Sequence, residues 1–345
     1  MEEIMADGST PAPDDGFLQA FVSAVDNRAL ELTILPTEKC NFRCTYCYED
    51  FALGKMPLSV QDDCIALIRT RAPELTRLDI RWFGGEPLAA LDVVERMSGA
   101  FCEIAAAHAN LHHTGAMTTN GYLLTPAVAR RLAAVGIGTF QISLDGPRAR
   151  HDVTRIMKNG RGSFDVIMAN LMALRRSDLD ISIVLRLHLT PENASDLPDF
   201  VRTLAQDFLT DPRFTLFMMP IARLGGPNDA KTGVLDSSRA RALMDRLKQI
   251  VTEIVGELAQ PPAAARQAWS VCYAAKPNAF VLRADGSVGK CTVALASKDN
   301  QVGRLGAGGR VEFDQSRHKR WLLGWQYQDP HMLHCPMEAI DFNHP

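Results

Sequence analysis

No apolar run in the 345-residue sequence approaches the ~20 residues of a membrane-spanning helix, which argues against an integral membrane protein. There is no basic stripe or polybasic tail. The 37 Lys and Arg stand against 40 Asp and Glu, a formal charge of -3, which argues against a nucleic-acid or membrane-surface binder. The start, "MEEIMADGSTPAPDDG", lacks the basic and apolar regions of a secretory signal and reads as a disordered, acidic leader. No internal repeat is present. A reducing, cytoplasmic location is therefore expected, in which the eight cysteines serve as metal ligands, catalytic groups or core residues rather than disulfides. What is present is ordinary globular composition, 46% hydrophobic and 22% charged, in a length that suits one large domain with or without a smaller one.

From residue 31 the chain alternates strand-like segments ("LELTILP", "RLDIRWF", "GTFQISL", "DISIVLRLHLT") with helix-like ones ("LDVVERMSGAFCEIAAAHA", "SFDVIMANLMALRRS"). Six such units predict a parallel sheet with right-handed crossovers, an α/β fold in the form of a partial (β/α)6 barrel over 31–258. Chemistry in such folds gathers in the loops at the C-terminal ends of the strands. Residues 1–30 read as an N-terminal extension and the Pro/Ala-rich 259–270 as a linker. Short strand-like pieces with turns over 271–345 predict a smaller β-containing module.

A fourth cysteine is missing where one would be looked for. In "CNFRCTYC", Cys40, Cys44 and Cys47 crowd one polar loop after the first strand, with no second C-x-x-C or H-x-H nearby. A thioredoxin-type pair would leave Cys40 unexplained, and a structural zinc wants four ligands. Three thiolates suit an iron–sulfur cluster with one iron left open to a small molecule. Cys64 and Cys102 sit in helix-like apolar surroundings and are expected in the core.

"CNFRCTYC" is similar to the C-x3-C-x2-C loop of radical SAM enzymes, with Tyr46 at their aromatic position. "FGGEPL" (83–88), "TTNG" (118–121) and "ISLDGP" (142–147) follow in the family's order at successive strand ends. The stretch 151–171 resembles the subfamily that includes anaerobic sulfatase maturases and peptide-modifying enzymes. The resemblance implies a 4Fe–4S cluster whose open iron binds S-adenosylmethionine, and a 5′-deoxyadenosyl radical on one-electron reduction. It implies cofactor contacts from Gly84, Gly85 and Glu86 near the methionine amine. Ser143 and Asp145 would hold the ribose, and Arg155 or, preferably, Arg186 the carboxylate. Tyr46 and Met218 would pack on adenine, with plain core packing equally open for Met218; Thr119 and Asn120 would line the pocket.

Cys272, Cys291 and Cys335 form a second set. "CYAAKPNAFVLRADGSVGKC" matches the first half of the signature of SPASM/twitch modules, whose later dense cysteine run is absent. A "DG" hairpin would bring Cys272 and Cys291 together. One auxiliary 4Fe–4S cluster is expected, with His331, His334, Asp341, water or substrate in the fourth place; a zinc site using His334 is the alternative. The expected substrate is a ribosomally made precursor peptide that receives a cross-link, with a flavodoxin- or ferredoxin-type electron donor. No leader-binding domain is expected in the first 30 residues, which are too few for a winged fold. A small-molecule dehydrogenase or cyclase stays open, as does side-chain oxidation of the sulfatase-maturase kind, which normally uses the full cysteine set. An electron carrier has no use for the glycine turn. The general base is not identifiable; Lys290, Asp285, His188 and Tyr273 are candidates by placement only.

Overall fold

The computed structural model describes residues 21–224, 228–256, 271–338 and 340. The linker expected at 259–270, most of the N-terminal extension and Asp341 lie outside the described residues. Six strands, β1 (Ala29–Ile34), β2 (Arg77–Trp82), β3 (His112–Thr119), β4 (Ile137–Leu144), β5 (Ser182–Leu189) and β6 (Phe214–Pro220), pair in parallel and in sequence order. Between them run α1 (Leu58–Arg71), α2 (Leu91–Ala106), α3 (Pro126–Ala134), the pair α4 (Arg148–Thr154) and α5 (Phe164–Arg175), and α6 (Leu197–Leu204); α7 (Ser237–Val255) follows β6.

The residue pattern explains this layering. On β5, Ile183, Leu185 and Leu187 are buried towards the helices, and the intervening Arg186 and His188 face the other way. Successive strand residues alternate sides, so one face supplies core and the other chemistry. On α2, Val93, Val94, Met97, Phe101 and Ile104 recur at helical spacing and are all buried. Thr125 caps α3 by accepting a hydrogen bond from the Val128 amide at 3.3 Å.

The strands of the expected C-terminal module continue the barrel's own sheet. β7 (Ala279–Leu282) pairs in parallel with β1, opposite the side that β2 occupies, with Glu31 beside Ala279. β8 (Ser287–Gly289), β9 (Gly303–Leu305) and β10 (Val311–Phe313) then add antiparallel, giving one ten-stranded sheet. Lys276 pairs with Glu31 at 2.5 Å, and Arg283 forks onto Glu38 at 2.7 and 2.8 Å. Three short helices, α8 (Gln315–Trp321), α9 (Leu323–Gln326) and α10 (Pro330–His334), close the described chain.

Candidate active site

β1 ends at Ile34, and the loop that follows carries the first three cysteines. A second segment, 154–158, pins this loop. The amides of Arg43 and Thr45 donate to the carbonyls of Ile156 and Thr154 at 2.8 and 2.9 Å, and the Lys158 amide donates to the Asn41 carbonyl at 2.7 Å. Arg155 lies in that segment, so its position relative to the cysteines is fixed by main-chain bonds.

The glycine turn after β2 packs onto the same loop with no room to spare. A Cβ on Gly85 would lie 2.5 Å from the carbonyl oxygens of both Glu38 and Lys39. Gly84 has φ +111°, and a Cβ there would meet the Thr37 carbonyl oxygen at 2.5 Å. Only glycine fits either place.

Cys40, Cys44 and Cys47 line a cavity of about 470 Å³ together with Tyr46, Gly84, Gly85, Asn120, Ser143, Arg155 and Arg186. Residues from six separate stretches thus meet at the C-terminal ends of the strands. Tyr273, Thr292 and Val293 of the C-terminal segment complete one wall, and His188 and Glu49 also face the cavity. Burial pushes the Cys40 and Cys47 thiols up to about 12. The Phe42 amide donates to the Cys40 sulfur at 3.3 Å.

Three of the residues expected at the cofactor stand behind this wall or beside it. Glu86 is fully buried, and its carboxylate accepts from Thr119 Oγ1 at 2.7 Å and from the Asn120 and Leu88 amides at 2.8 and 3.0 Å. Burial raises its pKa although these donors oppose the shift. Its side chain braces the glycine turn against the end of β3. Asp145 is 1% exposed and accepts from Tyr46 Oη at 3.0 Å, His188 Nδ1 at 3.0 Å and Thr154 Oγ1 at 2.6 Å. Burial works against its charge, but His188 and the Arg155 guanidinium hold its carboxyl well below the usual range. His188 itself is kept neutral by burial in spite of Asp145, so the Nδ1–H tautomer donates.

Met218, for which core packing stood equally open, packs partly buried against the core, and its neighbour Met219 lines the cavity. The register pairs Arg186 with Phe217 and His188 with Met219, so odd-numbered positions of β6 share the chemical face.

Arg155 donates to Tyr46 Oη at 2.8 Å, and its Nε, like that of Arg186, has no hydrogen-bond partner although buried. Two guanidinium groups with unused donors in one cavity suit an anionic group such as a carboxylate. Tyr46 thereby ties four cofactor-side residues into one buried cluster, with Asp145, His188 and Arg155 around a single hydroxyl.

The second cysteine set is assembled as the hairpin predicts. The Asp285–Gly286 turn joins β7 to β8, and Asp285 is spent there, accepting from the Ser287 amide and hydroxyl at 2.9 and 2.6 Å. Cys272 and Cys291 then lie at the open end. The Cys272 amide donates to the Leu333 carbonyl at 2.9 Å, which draws in the segment carrying Cys335. Burial raises the Cys272 thiol, and Cys291 and Cys335 are near enough to raise it further. Asn300, which no sequence pattern marks, clamps Cys291: it accepts from the Lys290 and Cys291 amides at 2.9 and 2.8 Å and donates to the Cys291 carbonyl at 2.8 Å. His331 and His334 are both exposed. Lys290 is fully buried with Nζ on the Lys276 and Ala279 carbonyls at 2.5 and 2.7 Å, away from the cavity lining. Cys64 is in the core, as expected, while Cys102 is half-buried beside His113.

Among the described residues, no three His, Cys, Asp or Glu side chains converge closely enough to hold a single metal ion. The chemistry of the first donor set, three soft thiols in one cavity, fits an iron–sulfur cluster whose cysteines bind different irons.

Comparison with known proteins agrees with this geometry. Residues 34–204 match the family profile of the radical SAM superfamily. The chain is 30% identical over 200 residues to a GTP 3′,8-cyclase of Mycolicibacterium smegmatis, covering 57% of this chain and 51% of that protein. It is 33% identical over 181 residues to the mycofactocin maturase MftC of the same organism, covering 49% and 40%. The chain thus spans about half the length of these curated relatives. Among solved structures it resembles anSMEcpe with bound AdoMet (TM-score 0.65, 19% identity, 84% and 80% covered). It also resembles Streptococcus suis SuiB bound to the precursor peptide SuiA (TM-score 0.57, 14% identity, 98% and 76% covered). These structural likenesses speak for a shared fold.

Proposed function

The chain carries a radical SAM domain over residues 34–204, and from that premise we propose that it modifies a ribosomally made precursor peptide by hydrogen abstraction, forming a cross-link. The observation that carries the reading is the single cavity in which Cys40, Cys44 and Cys47 meet the glycine turn, Ser143 and the two arginines. Cys40, Cys44 and Cys47 would hold a 4Fe–4S cluster, which together with bound S-adenosylmethionine would supply one-electron radical chemistry. The remaining work falls to this chain's own side chains. Arg155 and Arg186 offer free N–H groups to the cofactor carboxylate, and Ser143 offers a hydroxyl to its ribose. Gly84 and Gly85 let main chain approach closely, and Glu86 holds that turn in place from behind. Asp145 positions Tyr46 and His188.

Cys272, Cys291 and Cys335 would hold one auxiliary cluster, in a C-terminal twitch-like segment whose Tyr273 and Thr292 reach the same cavity. Such a cluster would offer an acceptor for the second electron of a net oxidation, and a flavodoxin- or ferredoxin-type protein would supply the first. Similarity to MftC, and to the SuiB structure with its bound peptide, supports the peptide reading. Similarity to GTP 3′,8-cyclase supports a small-molecule cyclisation as the second reading.

The test uses the reconstituted, reduced protein with S-adenosylmethionine. 5′-Deoxyadenosine should form, and should vanish when Cys40, Cys44 and Cys47 are all replaced by Ala. Product at equal rates in both proteins would refute the reading. Co-expression with a candidate precursor peptide should then lower the peptide's mass by two hydrogens per cross-link; turnover of a nucleotide instead would favour the second reading.

A further inference from the structure

Glu49 is a buried acid with an unpartnered carboxyl oxygen. It follows the third cysteine by two positions, is 8% exposed, faces the cavity, and its Oε2 has no hydrogen-bond partner. Arg283 and Lys39 are engaged elsewhere. Arg283 is forked onto Glu38 and donates to the Leu295 carbonyl at 3.1 Å; Lys39 Nζ donates to the Phe51 and Ala52 carbonyls at 2.6 and 3.2 Å. Arg155 and Arg186 line the same cavity but rise from the α4–α5 segment and β5, and Arg155 is bonded to Tyr46. Taking a carboxylate out of water with no partner is unfavourable. A fold keeps such a group where a ligand supplies the missing donor.

The surroundings indicate what that ligand is. Tyr48, Phe51 and Tyr273 line the cavity with Glu49, and aromatic walls around one acid favour a cation on an apolar stem. We propose that Glu49 anchors the substrate by accepting hydrogen bonds from its ammonium or guanidinium group, a lysine or arginine side chain in a peptide. The proposal rests on the cavity being the site of radical chemistry. The two can fail separately, because 5′-deoxyadenosine formation without substrate tests the cavity reading alone.

The experiment titrates the reconstituted holoenzyme with S-adenosylmethionine present, using butylguanidinium, butylammonium and neutral 1-pentanol as probes, followed by saturation-transfer NMR. The two cations should bind saturably and ahead of pentanol. Glu49→Gln should weaken them at least ~10-fold, the weight of a charge-assisted hydrogen bond, and leave pentanol and S-adenosylmethionine affinities unchanged. No saturable cation binding to the wild type overturns the proposal, as does equal cation binding by the variant. A drop in S-adenosylmethionine affinity also overturns it, since Glu49 would then be holding the cofactor's amine. If Glu49→Gln does not fold, crystals of the wild type soaked with butylguanidinium decide: density within hydrogen-bond distance of Glu49 supports the anchor, and density only elsewhere refutes it.

Discussion

At the scale of single residues, buried polar groups here are either exhaustively partnered or conspicuously free, and the two kinds do different work. His151 belongs to the first. Its Nδ1 accepts from the Asp145 amide at 3.4 Å and its Nε2 meets Ser163 Oγ at 3.2 Å, an arrangement that needs the neutral ring. Burial, helped by Arg155, pulls its pKa from 6.5 down to about 4. The folded state then binds fewer protons than the unfolded chain between those values. Stability from this group is complete above the unfolded pKa and falls as pH drops through that window, at about 1.4 kcal/mol per pH unit. Urea unfolding of His151→Gln should show a shallower loss between pH 6.5 and 4.5 than the wild type does; parallel profiles would show that His151 is not the titrating group. The set Cys40, Cys44 and Cys47 was legible in the sequence because its spacing is local. Glu49 was not, because "YED" looks like any solvated run, and only the folded loop shows that its middle residue turns inward.

At the scale of elements, the strand–helix alternation was readable from periodicity, and with it the strand ends that carry the site. Register was not readable, so nothing in the sequence marks Met219 as the methionine of β6 on the cavity side. Strands β8 to β10 have three residues each, too short for a period-two pattern to announce where they pair. The glycine turn is the element on which loop and sheet depend most tightly. Gly85→Ala should force the Glu38 and Lys39 carbonyls apart, because its Cβ would lie 2.5 Å from each. A stability loss of about 1–3 kcal/mol is expected, with reduced iron uptake on reconstitution. Calorimetry and iron quantitation would measure both, and an unchanged melting temperature with full iron content would show that the turn yields freely.

At the scale of the whole molecule, the C-terminal strands and the three-cysteine loop are one construction. Glu38, just ahead of Cys40, is 1% exposed and forked to Arg283 at the end of β7. Removing one partner of a buried pair leaves the other charge stranded, at about 3–5 kcal/mol. Arg283→Met alone should therefore destabilise strongly, and Glu38→Gln with Arg283→Met should recover much of the loss. Additive losses in chemical unfolding would show that the two side chains act independently.

The pairing of β1 with β7 also dictates an order of events in time. Lys276 and Arg283 meet Glu31 and Glu38 across 245 positions of sequence, so that seam closes a very long loop and belongs to the slow part of folding. During synthesis β1 waits with one edge bare, and Cys40, Cys44 and Cys47 stand exposed beside it until most of the chain has left the ribosome. Iron loaded before that moment would meet a half-walled site; the finished cavity comes into being only when the last strands arrive.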